Sequence, residues 1–117
     1  MTTTNLTTGI RDVAEGVRVI DIRGEVTAFS DEEISKAHRK AGDGANAVIL
    51  NFTDLEYMNS GGIGLVVTTL IRAQRSGHAL RAYGLSEHYR EIFSLTRLDE
   101  AISIFDDEAS AVVGPNP

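Results

Sequence analysis

The chain has no cysteine among its 117 residues. Disulfides, thiolate metal sites and a cysteine nucleophile are therefore excluded, and a cytoplasmic location is the expectation, since nothing demands an oxidising compartment. It also lacks an excess of positive charge. A formal net charge of −6 argues against nucleic-acid binding, which normally needs a basic patch or stripe. No apolar run approaches the ~20 residues of a membrane helix. The opening MTTTNLTTGI, with neither a basic region nor an apolar stretch, does not read as a secretion signal. No repeat and no Pro-, Gly- or Ser-rich linker divides the sequence.

What remains is ordinary globular material. With 42% apolar and 24% charged residues the chain is neither disordered nor membrane-embedded, and its length suits one domain with a core of its own. Residues 9–113 read as that domain, and residues 1–8 and 114–117 as loose ends.

Apolar segments alternate with helical patterns. Gly9–Ala14 and Val17–Arg23, separated by Glu15-Gly16, predict an antiparallel hairpin. Ser30-Asp31-Glu32-Glu33 matches a capping box, with Ser30 as N-cap and Glu33 reaching back. The helix that follows carries Ile34, Ala37, His38 and Ala41 on one face and stops at Gly42-Asp43-Gly44. The continuous run Ala47–Phe52 predicts a strand buried on both faces. Ser60–Ser76 places Ile63, Val66, Val67, Leu70 and Ile71 at helical spacing, capped by Asn59 and ended by Gly77. Leu80–Tyr83 is a further strand, Ser86 caps a third helix with Tyr89, Ile92, Phe93 and Thr96 on one side, and Ile102–Phe105 is a last strand. Asp106-Asp107-Glu108 opens a short final helix, where the macrodipole favours acids. The order β-β-α-β-α-β-α-β-α predicts an α/β domain with a mixed, mostly parallel sheet of about five strands and about four helices.

The stretch Val48–Gly64 resembles the signature of the STAS family: an apolar strand, a short loop ending in an aromatic and an aliphatic residue, then an Asp-Ser-x-Gly-like motif opening a helix. Here the motif is Asn59-Ser60-Gly61-Gly62. Gly24-Glu25-Val26 is similar to the family's Gly-x-aliphatic turn after the second strand, and the similarity continues through Gly84-Leu85, Ile92–Thr96 and Ile102–Phe105. The resemblance implies helices mainly on one face of the sheet. It also implies a regulatory module of the anti-sigma factor antagonist branch: no enzyme, no cofactor, and a partner that is an anti-sigma factor and serine kinase of the histidine-kinase-like ATPase fold. On this basis Ser60 is the candidate phosphoacceptor, and Gly24, Glu25, Asn59, Ser60, Gly61 and Gly62 form the candidate partner surface. A constitutive scaffold or accessory subunit, stressosome-like or transporter-associated, is the alternative.

Three departures from the family pattern stand out. Asn59 replaces the usual Asp and Thr27 another frequent Asp. Arg97 occupies a position where Gly commonly precedes Leu-Asp. The chemistry at Ser60 is coherent by itself, because a first-turn serine beside glycines has spare backbone N–H groups around it, and a helix N-terminus tolerates the charge a phosphate adds. Tyr57 and Met58 are read as either contacts beside Ser60 or core. His38, His78 and His88 are dispersed without metal-like spacing, so neither metal nor catalytic chemistry is expected of them.

Overall fold

The computed structural model describes residues 5–115. Five strands, β1 (Leu6–Ala14), β2 (Val17–Val26), β3 (Ala47–Met58), β4 (Ala79–Tyr83) and β5 (Ser103–Phe105), form one sheet in the order β1-β2-β3-β4-β5. β1 and β2 pair antiparallel, and every later pair is parallel. Four helices, α1 (Asp31–Gly42), α2 (Ser60–Ser76), α3 (Glu87–Leu95) and α4 (Glu108–Val113), complete the predicted order.

Alternation along the buried strands sorts the core onto two faces. Ile20, Ile22, Val48, Leu50, Phe52, Leu80 and Ala82 point toward α1, α2 and α3, where Ile34, Ala37, Ala41, Val66, Ala73 and Phe93 meet them. Phe52 and Phe93 pack edge to face at 6.3 Å. On the other face Val19, Ile49 and Tyr83 are covered by Ala111 of α4.

That second face is tied down by a polar network. Asp21 on β2, 6% exposed, takes a two-pronged hydrogen bond from Arg11 of β1 at 2.7 and 2.9 Å and a third bond from Asn51 of β3 at 2.8 Å. Arg11 also reaches Glu108 of α4, whose carboxylate accepts from Tyr83 Oη at 2.6 Å. The Arg11 guanidinium holds the Asp21 carboxyl below the usual aspartate range and does the same to Glu108, while burial and then Glu108 push the Tyr83 phenol up to about 12.

The structure departs from the sequence reading in several places. β1 begins at Leu6, inside the stretch taken as a loose end, and Gly114 is the C-cap of α4; residues 1–4 and 116–117 lie outside the described residues. Gly24-Glu25-Val26 is not a turn but the end of β2, where the register with β3 shifts twice. Gly24 sits at φ 104°, and a Cβ there would lie 1.9 Å from the Asn5 carbonyl oxygen, so only glycine passes this irregularity. The Ser30 capping box does not form. The chain enters α1 through a 3-10 turn, Ala28–Ser30, and the Ser30 hydroxyl is spent on the Thr27 N–H at 3.0 Å, while Glu33 accepts instead from Thr8 at 2.8 Å. Along α2 the buried line is Gly62, Val66, Thr69 and Ala73, leaving Val67 and Ile71 exposed. Thr69 enters the core because its hydroxyl returns to the Leu65 carbonyl at 2.8 Å.

Arg97 does occupy the left-handed region, at φ 61°, alone among the described non-glycine residues. Such a backbone costs an L-residue roughly 1–2 kcal/mol. Arg97→Gly is expected to stabilise the domain by up to about 1 kcal/mol after the added unfolded-chain entropy of glycine. Thermal denaturation should show a rise of about 4 °C.

Candidate functional site

The C-terminal ends of β2 and β3 run side by side, with Glu25 opposite Tyr57 and Val26 opposite Met58. β3 then turns directly into α2 through Asn59. The Asn59 side chain accepts from the Gly62 N–H at 2.9 Å, in the capping role its spacing predicts. Ser60, the first residue of α2, is exposed, Asn59 and Glu25 are half-buried, and the 3-10 turn Ala28–Ser30 lies alongside. Glu25, Asn59 and Ser60 are thus brought to one surface.

Of the two roles the sequence offers these glycines, tight helix–sheet packing and close approach by a partner, the contacts of Gly61 and Gly62 are those of packing. A Cβ on Gly62 would fall 2.1 Å from the Val26 carbonyl oxygen and 2.8 Å from Met58 Cγ, and one on Gly61 would meet Ala28 Cβ at 2.8 Å. Gly62 is buried, so it presents no surface of its own to a partner. Its hydrogen side chain seats the N-terminus of α2 against the end of β2, and Gly61 seats it against the 3-10 turn. Gly24 is likewise required by the backbone passing Asn5.

A strand leading through a capped turn into a helix, with an exposed serine at the first helical position, is the local geometry that the sequence motif implies. The model of the STAS domain matches residues 10–111. The chain belongs to the STAS domain family. The fold of this STAS domain is similar to that of the Bacillus cell fate determinant SpoIIAA in its phosphorylated form, at 22% identity and TM-score 0.70, covering 92% of this chain and 97% of that one. An anti-sigma factor antagonist from Mycobacterium paratuberculosis is similar at 22% identity and TM-score 0.73, covering 92% of each chain. A sulfate transporter family protein from Wolinella succinogenes is similar at 16% identity and TM-score 0.75, covering 88% of this chain and 87% of that one.

Two aromatic residues complete the STAS domain's Ser60 surface. Phe29, in the 3-10 turn, is 72% exposed, and Tyr57, two residues before Asn59, is 49% exposed. Tyr57 and Met58, read together in the sequence, part company: Met58 is buried and its N–H donates to Tyr89 Oη at 2.8 Å. Strand alternation separates them, because β3 extends through the residues 53–58 that the motif implies are a loop. Phe29 gave no sequence signal, because an apolar residue before a helix cap normally packs inward.

Two of the dispersed histidines are brought together by the fold. His38 on α1 and His78 before β4, forty positions apart in sequence, are both buried and meet at 2.9 Å between their Nε2 atoms. One of these nitrogens must carry the hydrogen and the other accept it. Burial, and then His78, pushes His38 down to about 4, and burial lowers His78 as well, so both rings are neutral near pH 7. Among the described residues no group of three or more His, Cys, Asp or Glu side chains could hold a metal ion, and no helix is long and apolar enough to cross a membrane.

Proposed function

We propose that this STAS domain is an anti-sigma factor antagonist, a protein-binding switch that engages an anti-sigma factor with serine kinase activity and is released when Ser60 is phosphorylated. The observation that carries the reading is the exposed Ser60 at the start of α2, beside the paired strand ends that carry Glu25 and Tyr57 and the 3-10 turn that carries the exposed Phe29. Exposed aromatics are the residue type that anchors protein interfaces. A kinase moves the γ-phosphoryl of ATP to the Ser60 oxygen, releasing ADP and the hydroxyl proton. Asn59 is an amide and cannot accept that proton, so a group other than Asn59 acts as the base. The phosphate adds roughly −1.5 to −2 charge in the middle of the contact surface, which favours dissociation by desolvation and repulsion. The fold tolerates it, because a helix N-terminus accommodates anions.

Ser60→Asp is expected to weaken binding to the cognate kinase by at least about tenfold, or ~1.4 kcal/mol, while the melting temperature stays unchanged. Titration of the purified kinase, followed by mass spectrometry after adding ATP, checks both parts. Equal affinity for the wild type and Ser60→Asp, with no phosphate on Ser60, would overturn the switch. It would favour instead a constitutive scaffold or transporter-associated module, the reading that Asn59 in place of a carboxylate supports.

A further inference from the structure

The C-terminal halves of α1 and α2 open into a groove of about 910 Å³ away from the Ser60 surface, lined by Lys36, Arg39 and Lys40 of α1 and Arg72 and Arg75 of α2. Both lysines of the chain are here, in a sequence of net charge −6. Spacings of three and four residues put each helix's cations on one face. Asp43 is the lone carboxylate in the lining. Among the described residues the ion pairs use Arg11, Arg18, Arg23 and Arg90, and none of the five groove cations has a carboxylate partner.

Helix-end electrostatics accounts for part of this. Arg39, Lys40 and Arg75 lie in last turns, where cations complement the macrodipole. Lys36 and Arg72 lie further back, and the like-charged pair Lys36 and Lys40 at i, i+4 costs a few tenths of a kcal/mol; Arg72 donates to the Ser35 hydroxyl and not to a carboxylate. His78, which lines the groove, also holds a polar atom without a partner, closed off from solvent. His78, 6% exposed, bonds to His38 through Nε2, but its Nδ1 has no hydrogen-bond partner. Space for the ring is provided by Gly42, where a Cβ would come within 2.8 Å of His78 Cε1.

We propose that this groove binds a small molecule carrying two or more phosphoryl groups. Five cations against one carboxylate match the charge of a short phosphate chain, and Lys and Arg present only donors, which suits phosphoryl oxygens. The volume is that of a small-ligand cleft. A long polyanion is disfavoured, because the chain as a whole carries a net charge of −6 and the groove cations are screened beyond about one Debye length, ~8 Å at physiological ionic strength. A compact anion experiences the local cations alone.

The test is calorimetric titration of the whole protein with inorganic tripolyphosphate at physiological ionic strength, with citrate as a multivalent anion lacking phosphorus. One saturable site is expected for tripolyphosphate, with citrate at least tenfold weaker. The exposed pair Lys36→Gln and Arg75→Gln, changed together, should weaken binding at least tenfold with an unchanged melting temperature, and Ser60→Asp should leave it unaffected. Absence of saturable binding, equal affinity for citrate, or undiminished binding in the Lys36/Arg75 variant would each overturn the proposal.

Discussion

Gly62→Ala is expected to lower the unfolding free energy by about 3 kcal/mol, the upper part of the usual overpacking range. The methyl group would stand 2.1 Å from the Val26 carbonyl oxygen and 2.8 Å from both the Val26 carbonyl carbon and Met58 Cγ. Two of those three atoms are backbone, fixed by the parallel register that pairs Val26 with Met58, so a rotamer change cannot relieve the contact. The start of α2 must instead lift away from β2, which disturbs the Asn59 cap and the placing of Ser60. Gly64→Ala is the internal control. A Cβ there meets nothing within 4 Å, and alanine's helix propensity should raise stability by about 0.5–1 kcal/mol. Denaturant unfolding of the two variants should therefore move the midpoint in opposite directions. A tolerated Gly62→Ala would mean that the end of β2 yields more easily than its pairing indicates.

Arg11→Met should cost about 3 kcal/mol at pH 7, lowering the melting temperature by about 12 °C. The substitution keeps much of the side-chain bulk but removes two hydrogen bonds from Asp21, a carboxylate that is 6% exposed, and leaves Glu108 with only Tyr83. The figure is the low end for a broken buried pair, because the Arg11 side chain is 42% exposed and water enters its place. The sign with pH is definite. Asp21 and Glu108 have folded-state pKa values below their ordinary ones, so their pairing contributes fully above about pH 4.5 and is lost as pH falls through the folded values. The gap between wild type and variant should thus narrow on acidification from pH 6 to pH 3. A gap that stayed constant would assign the loss to packing of the arginine stem rather than to its charge.

The succession of strands and helices was legible because it rests on local signals: the Glu15-Gly16 turn, the apolar run Ala47–Phe52, and the Asn59 and Gly77 ends of α2, where Gly77 takes φ 78° to cap the helix. Position-specific chemistry was legible at Ser60 for the same reason, since an N-cap and a first turn are set by neighbouring residues. What escaped depends on partners distant in sequence. β3 runs on to Met58 because it pairs with the bulged end of β2, although Thr53–Tyr57 show no apolar run. Glu33 leaves its expected cap for Thr8, twenty-five positions away. The His38–His78 contact joins residues forty positions apart, neither of which carries a local sign of the other. Gly61 and Gly62 were placed correctly, but whether a glycine gives room to a visitor or to its own sheet depends on the atoms opposite, which no spacing discloses.

Every pair of neighbouring strands in this sheet is also consecutive along the chain. A polypeptide emerging N-terminus first can complete β1 and β2 as a hairpin and then add β3, β4 and β5 in turn to a free edge, with no strand held waiting for a later one to be inserted beside it. Each addition closes one crossover, so the entropic cost of loop closure is met in similar instalments. The Arg11–Glu108 contact runs across this order, joining the first strand to the last helix. It can form only once synthesis has passed α4, which makes it a latch on the finished sheet rather than a guide to its assembly.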